Sequence, residues 1–233
     1  MTSPTQSSAV PSPDRVTPGV HDRDPGQSEP GGVIGVVGVG KLGAAIGRLV
    51  IEAGHELLVT DTPDHPHLEL IVGSVLPQAD LVDLTQLAER SDIVILALPQ
   101  AAVWQLDPDV LAGSVVIDAT NAWDAIDPVP DAARPSTTED LAVARPGWRL
   151  VKTLNQLGYA DVLADARPSG SAGRVALGVA GDDPEALAAA ARFVDSLGFD
   201  PVPTALAGSR LLEPDGPVFG RKLRADDLRD VLA

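Results

Sequence analysis

Six residues constrain this chain more than any others: Gly38-Val39-Gly40-Lys41-Leu42-Gly43, a G-x-G-x-x-G run. Glycine is common in the sequence, so the run alone says little; its setting says more. Directly before it, Val33-Ile34-Gly35-Val36-Val37 is nearly all apolar, as a parallel strand buried on both faces reads. Directly after it, Leu42, Ile46, Leu49 and Val50 are spaced for one face of a helix over residues 41–53, which Gly54 ends. Strand, glycine turn and helix together predict a dinucleotide-binding loop. In such a loop Gly38 makes the tight turn, Gly40 lets a pyrophosphate approach the backbone, and Gly43 lets helix and strand pack closely. The helix N-terminus adds N–H groups and a partial positive charge aimed at the phosphates.

The rest of the chain continues the alternation. Strands are predicted at residues 57–59, 79–82, 92–98, 114–120, 149–154, 174–180 and 199–203, and helices at 68–75, 84–90, 138–144, 184–197 and 225–232. The 184–197 helix carries its own punctuation: Asp182 or Asp183 as N-cap, Pro184 in the first turn and Gly198 beyond the end. Strands and helices at this spacing predict an α/β fold, a Rossmann-like doubly wound, mostly parallel sheet over residues 32–233. Residues 1–31 read differently. Pro4, Pro11, Pro13, Pro18, Pro25 and Pro30 interrupt a serine-rich stretch with few large apolar side chains, the composition of a disordered tail.

Charge and composition narrow the partners. Thirty-three acidic residues against 17 basic ones leave a net charge of −16, a field that repels phosphate backbones and anionic lipid. Nucleic acid and membrane surfaces are therefore not expected partners. Zero cysteines exclude disulfides, thiolate metal sites and cysteine nucleophiles. No apolar run reaches membrane-spanning length and no apolar block opens the chain, so a cytoplasmic protein acting on small-molecule cofactors is expected, with homodimer formation left open.

Which dinucleotide binds depends on Asp61, at the end of the second strand and about twenty residues past the last glycine. A carboxylate there accepts hydrogen bonds from ribose hydroxyls and repels a 2′-phosphate. No arginine follows it in Asp61-Thr62-Pro63-Asp64-His65-Pro66-His67, so charge favours NAD, with NADP left open. The two histidines read as a solvated loop, and no metal site is expected.

The strand-loop-helix from Val33 to Thr60 and the strand Ser91 to Pro99 (SDIVILALP) resemble many dinucleotide-binding reductases. Val115–Asn121 (VVIDATN), Leu150–Asn155 (LVKTLN), Val179–Asp183 (VAGDD), Ser196–Pro203 (SLGFDPVP) and Arg210–Gly220 (RLLEPDGPVFG) follow in the order found in the NADP oxidoreductase, coenzyme F420-dependent family. The chain resembles that family over about residues 33–220. The resemblance implies hydride transfer between a nicotinamide, of NAD or NADP, and a deazaflavin such as coenzyme F420 or a flavin such as FMN. It also implies that Val39, Gly40, Lys41 and Leu42 contact the pyrophosphate, and that Thr60 and Asp61 meet the adenosine ribose. Leu98 and Pro99 would then line the nicotinamide, with Ala119, Thr120 and Asn121 near its ring. Two departures stand out: Asp61-Thr62-Pro63 where family members commonly carry Ser and Arg, and Gln100 where a tryptophan often follows the proline.

No catalytic acid or base is assigned. His65 and His67 lie on the adenosine side, and Lys152 and Tyr159 are the other candidates before the C-terminal loop. Lys152 and Asn155 would serve a dehydrogenase of a small acid only if they shared a face, and a strand end puts that odd spacing on opposite sides. Hydride transfer between stacked rings needs positioning and little proton chemistry, so the scarcity suits a reductase of a second ring. It suits a non-catalytic dinucleotide-binding module equally well. The anionic tail of coenzyme F420 would need a local cationic patch, and Arg221, Lys222 and Arg224 form the candidate.

Overall fold

The computed structural model describes residues 31–62, 65, 67–121 and 137–233. The expected disordered segment at 1–31 lies, but for its last residue, outside the described residues. Eight strands form one sheet: β1 (Val33–Val37), β2 (Glu56–Thr60), β3 (Asp80–Leu81), β4 (Ile93–Leu96), β5 (Val115–Asp118), β6 (Arg149–Lys152), β7 (Ala176–Ala180) and β8 (Asp200–Thr204). Their order across the sheet is β3-β2-β1-β4-β5-β6-β7-β8, and every pairing is parallel except β6 with β7. The doubly wound α/β fold read from the sequence is the fold observed, with the order reversing between β1 and β4.

Why these segments are strands is visible in where alternate side chains go. Ile34 and Val36, Leu57 and Val59, Ile93 and Ile95, and Val115 and Ile117 enter one core. Val37, Leu58, Val94, Leu96 and Val116 enter the other. Successive residues of a strand point to opposite faces, so a strand needs apolar residues throughout only when helices cover both faces. On the first face lie α1 (Lys41–Glu52), α2 (Leu68–Val75), α6 (Tyr159–Asp165) and α7 (Pro184–Ser196). On the second lie α3 (Leu84–Arg90), α4 (Gln100–Val103) and α5 (Thr137–Ala144). A terminal α8 (Ala225–Leu232) packs Leu228 against β7 and β8.

Several expected strands are longer than the observed ones, for local reasons. β5 stops at Asp118, because its carboxylate accepts the Thr120 N–H at 2.9 Å and turns the chain out of the ladder. β6 stops at Lys152, and Leu154 has φ 65°, in the left-handed region. β4 stops at Leu96, and Ala97-Leu98-Pro99 lead into the short α4, which the sequence reading missed. α6 and a 3₁₀ turn, η1 (Leu206–Leu212), were also missed. α6 is one 7-residue helix that buries only Val162, too short for a period to show. α7 follows its punctuation: Asp183 accepts the Glu185 and Ala186 N–H groups, and Gly198 has φ 101°.

The β6–β7 junction is unusual. Its registered pair is Lys152 with Ala180, and farther along a side chain replaces the ladder. The Gln156 amide donates to the Gly178 carbonyl at 2.9 Å and accepts the Gly178 N–H at 2.8 Å.

Candidate functional site

The glycine loop runs from the end of β1 to the start of α1. The Gly38 N–H donates to the Thr60 carbonyl at 2.8 Å, tying the loop to the end of β2, and its φ of 105° demands glycine. A side chain at Gly43 would run into the Gly38 carbonyl oxygen, so helix and strand approach as closely as a backbone hydrogen allows. Gly40 is different: a Cβ built there has nothing within 4 Å. Its φ of −69° suits any residue, so neither backbone nor neighbours of this chain require glycine. A ligand approaching the backbone would. Gly40 is also the N-cap of the 12-residue α1, whose first turn carries no side-chain cap and no acidic residue. That end of the helix therefore keeps its attraction for an anion.

Asp61 stands beside the loop. One carboxylate oxygen accepts the Val39 N–H at 2.6 Å and the other the Thr62 N–H at 2.7 Å. The carboxylate is thus fixed in place and steadies the loop from the end of β2. Thr60, Asp61 and Leu98 share a cleft of about 1040 Å³ whose apolar walls include Val37, Val82 and Leu106. This volume lies at the upper end of small-molecule sites, and the cleft opens beyond the carboxyl ends of β1, β2 and β4, where open α/β sheets bind ligands. The loop, the open Gly40 and the cleft fit a dinucleotide. Lys41 sits exposed at the start of α1 with its ammonium 5.4 Å from the centre of the Tyr159 ring.

The remaining expected residues lie farther along the sheet. Pro99 is exposed at the start of α4, whereas Ala119 and Thr120 are buried. The Thr120 hydroxyl donates to Asp118 at 2.7 Å. Asn121 and Asn155 bind each other: Asn121 Nδ2 donates to the Asn155 carbonyl at 3.1 Å, and Asn155 Nδ2 to Asn121 Oδ1 at 3.0 Å. Leu98 lines the cleft with Thr60 and Asp61, while Gly38, Val39, Gly40, Lys41, Leu42, Gly43, Pro99, Ala119, Thr120 and Asn121 do not.

Beneath Thr120 lies a buried ionic cluster. Lys152 is 0% exposed; its ammonium is 3.3 Å from Asp118 Oδ2, 3.3 Å from Glu213 Oε1, and donates to the Thr120 carbonyl at 2.6 Å. Burial works against the charge on Asp118, but Lys152 and hydrogen bonds from Thr138 and Thr120 outweigh it and hold the carboxyl below its ordinary range. Burial pushes the Glu213 carboxyl above its ordinary range, and the Asp118 charge adds to this despite Lys152 and Thr137. The cluster joins the ends of β5 and β6 to η1 and, through Thr137 and Thr138, to α5. Lys152 is enclosed and fully engaged, which removes it from the position a proton carrier to a substrate needs.

Sequence reasoning missed Glu213 and Thr138. The signal was a lysine ending an apolar strand and an aspartate ending its neighbour, which the observed register pairs directly; a buried charge needs such a partner. The basic cluster is partly spent: the Lys222 ammonium lies 2.7 Å from both Asp161 and Asp165, whose hydrogen bonds raise its pKa. Among the described residues no helix is long and apolar enough to cross a membrane.

Residues 33–122 match the family model described as NADP oxidoreductase coenzyme F420-dependent. Among solved structures, the chain is similar to a hypothetical protein, SMa0349, from Sinorhizobium meliloti (TM-score 0.68, 24% identity, covering 82% of this chain and 95% of that one). It is similar to a protein from Arthrobacter sp. FB24 named as a candidate F420-dependent NADP-reductase (TM-score 0.67, 23% identity, covering 83% and 100%). An imine reductase from Pseudomonas sp. is more distant (TM-score 0.55, 15% identity, covering 76% and 57%). At these identities the structural likeness speaks for the fold. No curated protein matches the sequence.

Proposed function

We propose that this chain, an NAD(P)-dependent oxidoreductase by its family match, binds the dinucleotide at the carboxyl ends of β1, β2 and β4 and passes its hydride to a deazaflavin or flavin ring. The observation that carries the proposal is Gly40: an open backbone at an uncapped helix start, with no need of its own for glycine. In this reading Val39, Gly40, Lys41 and Leu42 hold the pyrophosphate, with Gly38 and Gly43 shaping the loop. Thr60 and Asp61 hold the adenosine ribose, Leu98 and Pro99 flank the nicotinamide, and Ala119, Thr120 and Asn121 border its ring.

The nicotinamide supplies the hydride. The chain's own residues orient it: α1 neutralises the phosphates, Asp61 anchors the ribose, and the Asn121–Asn155 pair fixes the edge of the site. No side chain of the buried cluster is required to move a proton. This supports transfer between two rings over reduction of a small acid through Lys152. With Lys222 already bound to Asp161 and Asp165, a flavin carrying less charge than coenzyme F420 is supported as the acceptor.

The test is titration of the purified chain with NADH and NADPH, followed by stopped-flow mixing with coenzyme F420 or FMN. Rapid loss of reduced-nicotinamide absorbance with either acceptor is the expected result. Tight binding with no loss against either would identify a binding module and end the catalytic proposal.

A further inference from the structure

The cleft beside the glycine loop has a charge that its family's description does not anticipate. Four acidic residues line it, Asp61, Glu69, Asp83 and Asp107, and no lysine or arginine does among the described residues. His65 and His67 are the cleft's only titratable bases among the described residues. The sequence across the turn, from Asp61 to His67, contains no lysine or arginine either. Asp61 cannot swing aside, because Val39 N–H holds one of its oxygens at 2.6 Å and Thr62 N–H the other at 2.7 Å. A carboxylate oxygen has two acceptor sites, so the one bound to Val39 retains capacity for a hydroxyl.

We infer that this cleft selects NADH over NADPH, with Asp61 as the residue that accepts the ribose 2′-hydroxyl and rejects a 2′-phosphate. The inference rests on the dinucleotide site proposed above. A ribose hydroxyl is a donor and satisfies a fixed carboxylate; a phosphate ester offers only acceptors and further negative charge. Discrimination of this kind is large, because the wrong ligand leaves charged groups facing each other unpaired. The departure from the NADP of the family description lies within the matched segment 33–122.

The test is equilibrium binding by calorimetry in low salt at about pH 8. NADH is expected to bind at least about tenfold more tightly than NADPH. Added salt should narrow the difference by screening. Asp61→Asn, which keeps one acceptor for Val39 N–H and removes the charge, should shrink the ratio at least about fivefold, by weakening NADH binding, tightening NADPH binding or both. Equal or tighter binding of NADPH by the unaltered chain would overturn the selectivity and leave the dinucleotide site standing. Failure of both to bind would overturn the site and the selectivity together. An unchanged ratio in an Asp61→Asn chain that melts like the parent would remove Asp61 from the role. The parent ratio decides selectivity by itself should the variant fail to fold.

Discussion

Replacing Lys152 by methionine separates structural support from chemistry. The side chain keeps its apolar stem and loses the ammonium, with its charge and its hydrogen bond to the Thr120 carbonyl, in a place that is 0% exposed. What remains is Asp118, also 0% exposed, and Glu213, 6% exposed, facing one another without the ammonium that lay 3.3 Å from each. Removing one member of a buried ion pair costs about 3–5 kcal/mol. Glu213 should soften the loss: its carboxyl already sits above its ordinary range and takes up a proton readily. Asp118 keeps its hydrogen bonds from Thr138 and Thr120, so the lower end, about 3 kcal/mol, is expected. In a domain of this size that lowers the melting temperature by about 6–12 °C. The sign of the pH dependence follows. In the parent, Asp118 is held below its ordinary value of 3.8, so its stabilisation is present above that pH and lost on acidification. In the variant its pKa rises, the native state binds the proton more readily than the unfolded chain, and stability falls as pH climbs. The gap between variant and parent should therefore widen from acid toward neutral pH. Thermal melts of Lys152→Met, Asp118→Asn and the double variant across pH would measure it, with the double variant recovering much of the loss. A Lys152→Met chain that melts within about 2 °C of the parent while hydride transfer collapses would refute the reasoning and make Lys152 a proton carrier.

Gly40→Val should leave the fold intact, with a melting shift no larger than a changed N-cap gives, about 1 kcal/mol, and should abolish NADH binding in calorimetry. Retained binding would remove the pyrophosphate from this loop. Gly43→Ala should instead damage both, since its new methyl meets the Gly38 carbonyl; a loss of about 1–3 kcal/mol in urea unfolding is expected. Glu213→Gln addresses the raised carboxyl. A carboxyl held above its ordinary value of 4.5 makes the parent lose stability as pH rises through the raised value, so the parent's melting temperature should fall relative to the variant's over that rise. Parallel melting profiles from acid to neutral pH would contradict the assigned environment of Glu213.

What could be read in advance was whatever leaves a periodic or local mark. β1, β4 and β5 were legible because helices on both sheet faces force uninterrupted apolar runs, and α7 because its cap residues are local. The glycine loop was legible because its three glycines fall at fixed spacing within six positions, between an apolar run and a helical period. Strand ends were not, since Asp118 and Leu154 terminate β5 and β6 through a side-chain hydrogen bond and a positive φ that no period encodes. α6 and η1 bury too few side chains to show one. Glu213 escaped because its partner lies far away in sequence and meets it only when η1 packs on β6 and β7. The nicotinamide-side assignments, Pro99 and Ala119 to Asn121, came from resemblance, because no period or spacing of their own marks those residues.

Gln156 gives the C-terminal part of the sheet a different kind of registration. Between other neighbouring strands the alignment is set by a ladder, which resists sliding at every rung. Between β6 and β7 one amide grips both polar groups of Gly178. It works as an index pin, and η1, resting on β7, inherits its alignment. The carboxylate that reaches Lys152 is therefore aimed by the length of a glutamine. Shortening that pin by one methylene would move the calibration of the ionic cluster while leaving every residue of the cluster in place.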